Sequence, residues 1–200
     1  MPKKSILSLI ALLLLMSCSP RDFLTRRLAT DLIAASDSFK TPQQFPLHTG
    51  IVSNKDYVSP EYLILQQHGW ISASTVRCPA SLAPAPCWDV LLTPAGVDTV
   101  RLLVPAAEAD KSLLFIPVAR RELVGVTGIS KQGSLADVDF TWKWVPLNEV
   151  GAALYSDDLR YNSTVLFRDY DDGWHIVVAQ SAPHSGQPLD DALKSAEPTQ

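Results

Sequence analysis

Hydrophobic and polar positions change period several times along this chain, and each change marks an element. Ile6 to Met16 is an apolar run broken only by Ser8, with Lys3 and Lys4 ahead of it. Over residues 20–38, Leu24, Leu28, Leu32, Ala35 and Phe39 recur at near-helical spacing, with Arg, Asp and Ser between them, so the pattern predicts a helix. Pro42 and Pro46 interrupt it, and 40–56 reads as loop with one short extended piece. "VSPEYLILQQHGW" predicts a second helix, with Ser59 as N-cap, Pro60 in the first turn and Gly69 just past the end. Strands at 70–76 and 88–93 flank a proline-rich interval. Thr93 and Pro94 then open a further helix, with Val97, Val100 and Val104 on one face.

The second half changes to period two. Candidate strands cover 113–119 and 122–129. "SLADVDFTWKWVP" alternates most clearly: Val138, Phe140, Trp142 and Trp144 share one face, and Asp137, Asp139, Thr141 and Lys143 the other. "PLNEVGAALY" predicts a short helix starting at Pro146. "STVLFRDYDDGWHIVVA" predicts a hairpin over 163–179 that turns at Asp171-Asp172-Gly173. The fold class expected is α+β, a mostly antiparallel sheet packed against N-terminal and short interspersed helices. Residues 18–182 are expected as a single α+β domain, with a division into 18–110 and 111–182 as the alternative. Polar residues 183–200 read as a flexible tail.

The N-terminal segment bears on the address. The first apolar run is 11 residues long, short of the roughly 20 that a spanning helix needs. With its lysines it has the form of a signal peptide, residues 1–17. Its end, Leu15-Met16-Ser17-Cys18, resembles a bacterial lipoprotein lipobox. That resemblance implies diacylation of Cys18, cleavage after Ser17, acylation of the new amino terminus, and the membrane as a partner. Ser19 follows where an aspartate would favour the inner membrane. The resemblance therefore implies the periplasmic side of the outer membrane before the inner membrane. The alternative is an ordinary secretory peptide with Cys18 incidental.

Loss of residues 1–17 leaves 15 basic against 21 acidic side chains. That acidic balance does not suit a nucleic-acid surface, which needs clustered Lys and Arg. Cys78 and Cys87 close a short segment in "RCPASLAPAPCW". An exported chain lets them pair as a disulfide, and two buried thiols are the alternative. Their spacing is not that of a metal site.

Two further resemblances concern parts of the chain. Residues 59–100 run helix, strand, loop, strand, helix and are similar to the wing region of winged-helix domains. The candidate helix carries Glu61, Gln66, Gln67 and His68 with no Lys or Arg, so DNA binding is not implied. The C-terminal half loosely resembles cystatin-like and NTF2-like α+β proteins. It also resembles uncharacterised bacterial lipoproteins carrying "GxxxxxxxADVDFTWKWVP". These resemblances imply fold and little chemistry.

No nucleophile elbow, phosphate loop or HExxH motif is present. Candidate cleft residues are Trp70, Asp137, Asp139, Trp142, Trp144 and His175. The two aspartates on one strand face could do acid/base work or hold a cation, or could be a solvated face. The tryptophans Trp70, Trp88, Trp142, Trp144 and Trp174 could build a core, or line an apolar cleft. No cofactor is expected. A non-enzymatic binding or structural role is the leading expectation, with an envelope protein or an apolar ligand as partner. A ligand-binding or hydrolytic NTF2-like domain is the alternative.

Overall fold

The computed structural model describes residues 23–79, 86–105, 111–177, 188–196 and 198–199. The signal segment, Cys18, Pro20 and His184 lie outside them. The fold is α+β. In chain order the elements are α1 (Arg26–Ala35), α2 (Asp37–Lys40), β1 (Gln43–His48), β2 (Gly50–Ser53), α3 (Asn54–Tyr57), α4 (Pro60–Gln67), β3 (Ile71–Val76) and β4 (Cys87–Leu92). There follow α5 (Pro94–Arg101), β5 (Leu113–Gln132), β6 (Leu135–Pro146), α6 (Glu149–Leu154), β7 (Arg160–Tyr170), β8 (Gly173–Ile176), α7 (Leu189–Lys194) and β9 (Pro198–Thr199). One sheet has the order β1-β5-β6-β7-β8, with β9 also on β7. A three-stranded sheet has the order β2-β4-β3.

The chain forms two compact units, and the division does not fall between 110 and 111. A terminal unit comprises the chain up to Ser38, Leu123–Trp142 and Tyr161–Thr199. A central unit comprises Phe39–Glu122 and Lys143–Arg160. Strands β5 and β6 pass through both.

The central unit is built on local signals. Ser59 stands at the N-cap of α4 and Pro60 in its first turn, although the Ser59 side chain makes no capping bond. At the other end Gly69 takes φ +71°. Its N–H donates to Gln66 O at 2.9 Å, and Trp70 N–H donates to Leu65 O at 3.0 Å. These two bonds form a Schellman cap. Thr93 caps α5 by accepting from Gly96 N–H. A Cβ on Gly96 would lie 1.8 Å from Trp70 O, so only glycine lets α5 sit this close. Asn148 caps α6, which therefore starts at Glu149, three residues later than the start expected at Pro146. Its Oδ1 accepts from Gly151 N–H at 2.9 Å, while its Nδ2 donates to Pro117 O at 2.6 Å. The core gathers Leu47, Tyr62, Leu65, Trp70, Val90, Ile116 and Val118 among others.

The reading of 40–56 as loop is corrected: β1, β2 and α3 occupy it. Pro46 concealed β1, yet β1 is an edge strand, where proline is tolerated. Thr49 N–H donates to Ser112 O, which fixes the hydrogen-bonding phase of the β1–β5 ladder. In that phase the nitrogens of Pro46 and His48 face away from β5. The Tyr62 hydroxyl accepts from His48 N–H at 2.8 Å and donates to His48 O at 3.2 Å. Burial pushes the Tyr62 phenol above its ordinary pKa, the His48 backbone bond opposes this, and the Asp56 carboxylate adds to the rise.

The two strands expected at 113–119 and 122–129 are one strand of 20 residues, unbroken at Arg120-Arg121. A two-residue turn follows, with Gly133 at φ +62°.

The terminal unit holds α1, the far halves of β5 and β6, β7, β8, α7 and β9. The buried face of α1 is Ala29 and Ile33. The expected stripe is thus displaced, and Ala35 is exposed. On the sheet, Ala136, Val138, Phe140, Trp142, Val165 and Phe167 are buried. Register pairs Val138 with Val165 and Trp142 with Tyr161, so these side chains share a face. Within the segment expected as a flexible tail, residues 188–196 are described and carry α7, on which Leu189, Ala192 and Leu193 are buried. Ser163 is the buried polar side chain among the described residues. Its hydroxyl accepts from Trp142 Nε1–H and donates to Ala192 O, each at 3.0 Å.

Candidate functional site

The opposite side of β6 and β7 is polar. Asp139 pairs with Thr164 and Thr141 with Asn162, so these four side chains stand on one face. Thr164 Oγ1 donates to Asp139 Oδ1 at 2.6 Å, and Thr141 Oγ1 donates to Asn162 Oδ1 at 2.9 Å. Gly128 on β5 leaves space for the carboxylate, since a Cβ there would lie 2.8 Å from Asp139 Oδ2. Together with Thr127, Ser195 and Ala196 these residues line an open groove of about 660 Å³ within the terminal unit. Its lining offers one carboxylate, several hydroxyls and an amide. Among the described residues that line it there is no histidine, no cysteine and no second carboxylate. Such a groove can exchange hydrogen bonds with a hydroxyl-rich ligand.

The six expected cleft residues do not converge on this groove. Asp139 lines it. Asp137, two residues away on the same strand face, lines a separate recess of about 10 Å³ with Ser130, Gln132 and Leu166. Trp142 belongs to the buried face, 2% exposed and stacked on Tyr161 at 4.6 Å. His175 sits on its own hairpin, half exposed, with Nε2 2.9 Å from Asp172 Oδ1. Trp70 and Trp144 belong to the central unit. Trp70 is core and stacks on the His68 ring at 4.6 Å. Trp144 is half-buried, with the Arg121 guanidinium 4.6 Å from its ring centre and Tyr155 tilted against it. With Trp174 at 3% and Trp142 at 2% exposure, the tryptophans of the terminal unit serve as core.

The groove partners Thr127, Thr141, Asn162 and Thr164 were not singled out from the sequence. Alternation placed Thr141 beside Asp139, but the facing residues depend on the β6–β7 register, and a connection over 147–159 intervenes.

Cys78 and Cys87 form a disulfide, with Cα atoms 5.1 Å apart. Among the described residues, no group of three or more His, Cys, Asp or Glu is placed to hold a metal ion. None of their helices is long and apolar enough to cross a membrane. Comparison with protein-family models, with curated proteins and with solved structures gave no match to this chain.

Proposed function

We propose that this chain is a lipid-anchored lipoprotein of the bacterial cell envelope with a non-enzymatic binding or structural role. The observation that carries this reading is the sequence from Lys3 to Cys18: a basic start, then 11 apolar-rich residues whose last two, Leu15 and Met16, run into Ser17-Cys18. The Cys78–Cys87 disulfide supports export to an oxidising compartment. Several acyl chains hold a protein stably where one chain does so marginally, so a triacylated Cys18 needs no spanning helix. Ser19 favours the periplasmic side of the outer membrane. Metabolic labelling with an alkyne fatty acid tests the anchor. Label is expected on the wild-type chain and absent from Cys18→Ser; label retained in that variant refutes the reading.

The polar groove favours a second reading, a ligand-binding or hydrolytic domain of NTF2-like type acting through Asp139. A thermal-shift panel of sugars and polyols addresses it. Stabilisation by a panel member should be lost in Asp139→Asn, and stabilisation unchanged in that variant moves the ligand elsewhere.

A further inference from the structure

We infer that the terminal unit rests against anionic phospholipid headgroups through a small face made of Phe23, Arg26, Arg27 and Lys131. The inference rests on acylation of Cys18. Five residues lead from Cys18 to Phe23, so even a fully extended connection keeps Phe23 within about 18 Å of the anchor. The residues around Phe23 are therefore held close to the bilayer surface.

Their chemistry suits that surface. Phe23 is 60% exposed, an aromatic ring left in water beside the anchor. Lys131 Nζ lies 5.8 Å from its ring centre and 4.8 Å from that of Trp174. Arg26 donates from Nη2 to Thr127 O at 3.1 Å, which ties the first turn of α1 to the strand that carries Lys131. Arg27 is exposed beside it.

The two arginines are also the wrong sign for their own helix. They occupy the first two positions of α1, whose first turn holds no acidic residue. The positive end of the helix dipole disfavours cations there, so helix stability does not account for them. The bond to Thr127 O holds Arg26 in place, and an external anion would favour both charges. The remainder of the chain carries an acidic excess, so an anionic surface attracts this face and repels the rest. Aromatic side chains settle at the same interfacial depth.

The test uses the acylated protein in vesicles. With Cys18 acylated and Cys78–Cys87 joined, Phe23→Cys supplies the thiol for an environment-sensitive dye. The protein is placed in phosphatidylcholine vesicles with and without about 30% phosphatidylglycerol, and the dye is quenched by headgroup-labelled lipid. Quenching in the anionic vesicles is expected to be at least about twofold stronger, and to fall to the zwitterionic level in Arg26→Gln/Arg27→Gln/Lys131→Gln and at high salt. Equal quenching in the two vesicle types overturns the inference, as does quenching untouched by the triple substitution. Intact mass is read first. An unacylated protein overturns this inference together with the anchor reading; an acylated protein with composition-independent quenching overturns this inference alone.

Discussion

Two buried carbonyl oxygens in this molecule are met in opposite ways. In the central unit, Val118 O accepts from Leu147 N–H at 2.9 Å, and its other side faces Gly151, where a Cβ would lie 1.8 Å away. In the terminal unit, Ala192 O faces Ser163, whose hydroxyl donates to it at 3.0 Å. The first contact requires that an atom be missing, and the second requires that a donor be present. Closeness of backbone to backbone has no soft degree of freedom, because neither α6 nor β5 can give without breaking the Asn148 bonds that join them. A hydrogen-bonded side chain is more forgiving, since both partners can be replaced together. The central unit is therefore expected to fail by steric strain and the terminal unit by loss of polar pairing.

Gly151→Ala should show the largest effect. Its methyl must displace α6 or β5, and a loss of about 3 kcal/mol or more is expected. A urea titration followed by tryptophan fluorescence reads it. A midpoint shifted less than that of Ser163→Ala would reverse the comparison. Next comes the disulfide, which closes a short loop in the same unit. Cys78→Ala/Cys87→Ala is expected to cost about 2–3 kcal/mol, chiefly by freeing the unfolded chain. If the double variant unfolds at the wild-type midpoint, the loop contributes nothing to holding β3 and β4. Ser163→Ala should cost less, about 2 kcal/mol, because it removes the acceptor of Trp142 Nε1–H and leaves Ala192 O only the longer bond from Ser195 Oγ, at 3.5 Å. A double-mutant cycle with Trp142→Phe sharpens the point. The second substitution should cost less in the Ser163→Ala background than alone; strict additivity would mean that the hydroxyl does not couple the two groups.

Legibility followed how local each constraint was. Ser59-Pro60 with Gly69 delimit α4 and Thr93-Pro94 mark the start of α5, because caps act within one turn of the chain, whereas Val104, expected on the α5 face, lies past its end at Arg101. Alternation over 135–146 gave β6 and its buried face directly. The β1 strand was missed because Pro46 reads as a breaker unless it is known that the strand lies at an edge, and edge position is a property of the whole sheet. β5 was divided at Arg120-Arg121, where two charges suggest a turn, although Glu122 lies 3.5 Å from Lys143 and 3.9 Å from Arg120. Helix α7 left a trace in Leu189, Ala192 and Leu193 at helical spacing, hidden by the polar residues around it. Of the groove, Asp139 was legible and its partners were not. The pairing of 139 with 164 is a register, and register between strands joined by a long connection is set by tertiary packing.

The outer side of β1 has a consequence for crowding. Pro46 has no N–H to offer there, and the His48 N–H is occupied by Tyr62. A passing strand would find two successive donors missing along six residues and could not zip onto this edge. If the chain is anchored as proposed, copies on the membrane meet far more often than in solution, and such an edge would keep those encounters from turning into cross-strand polymers.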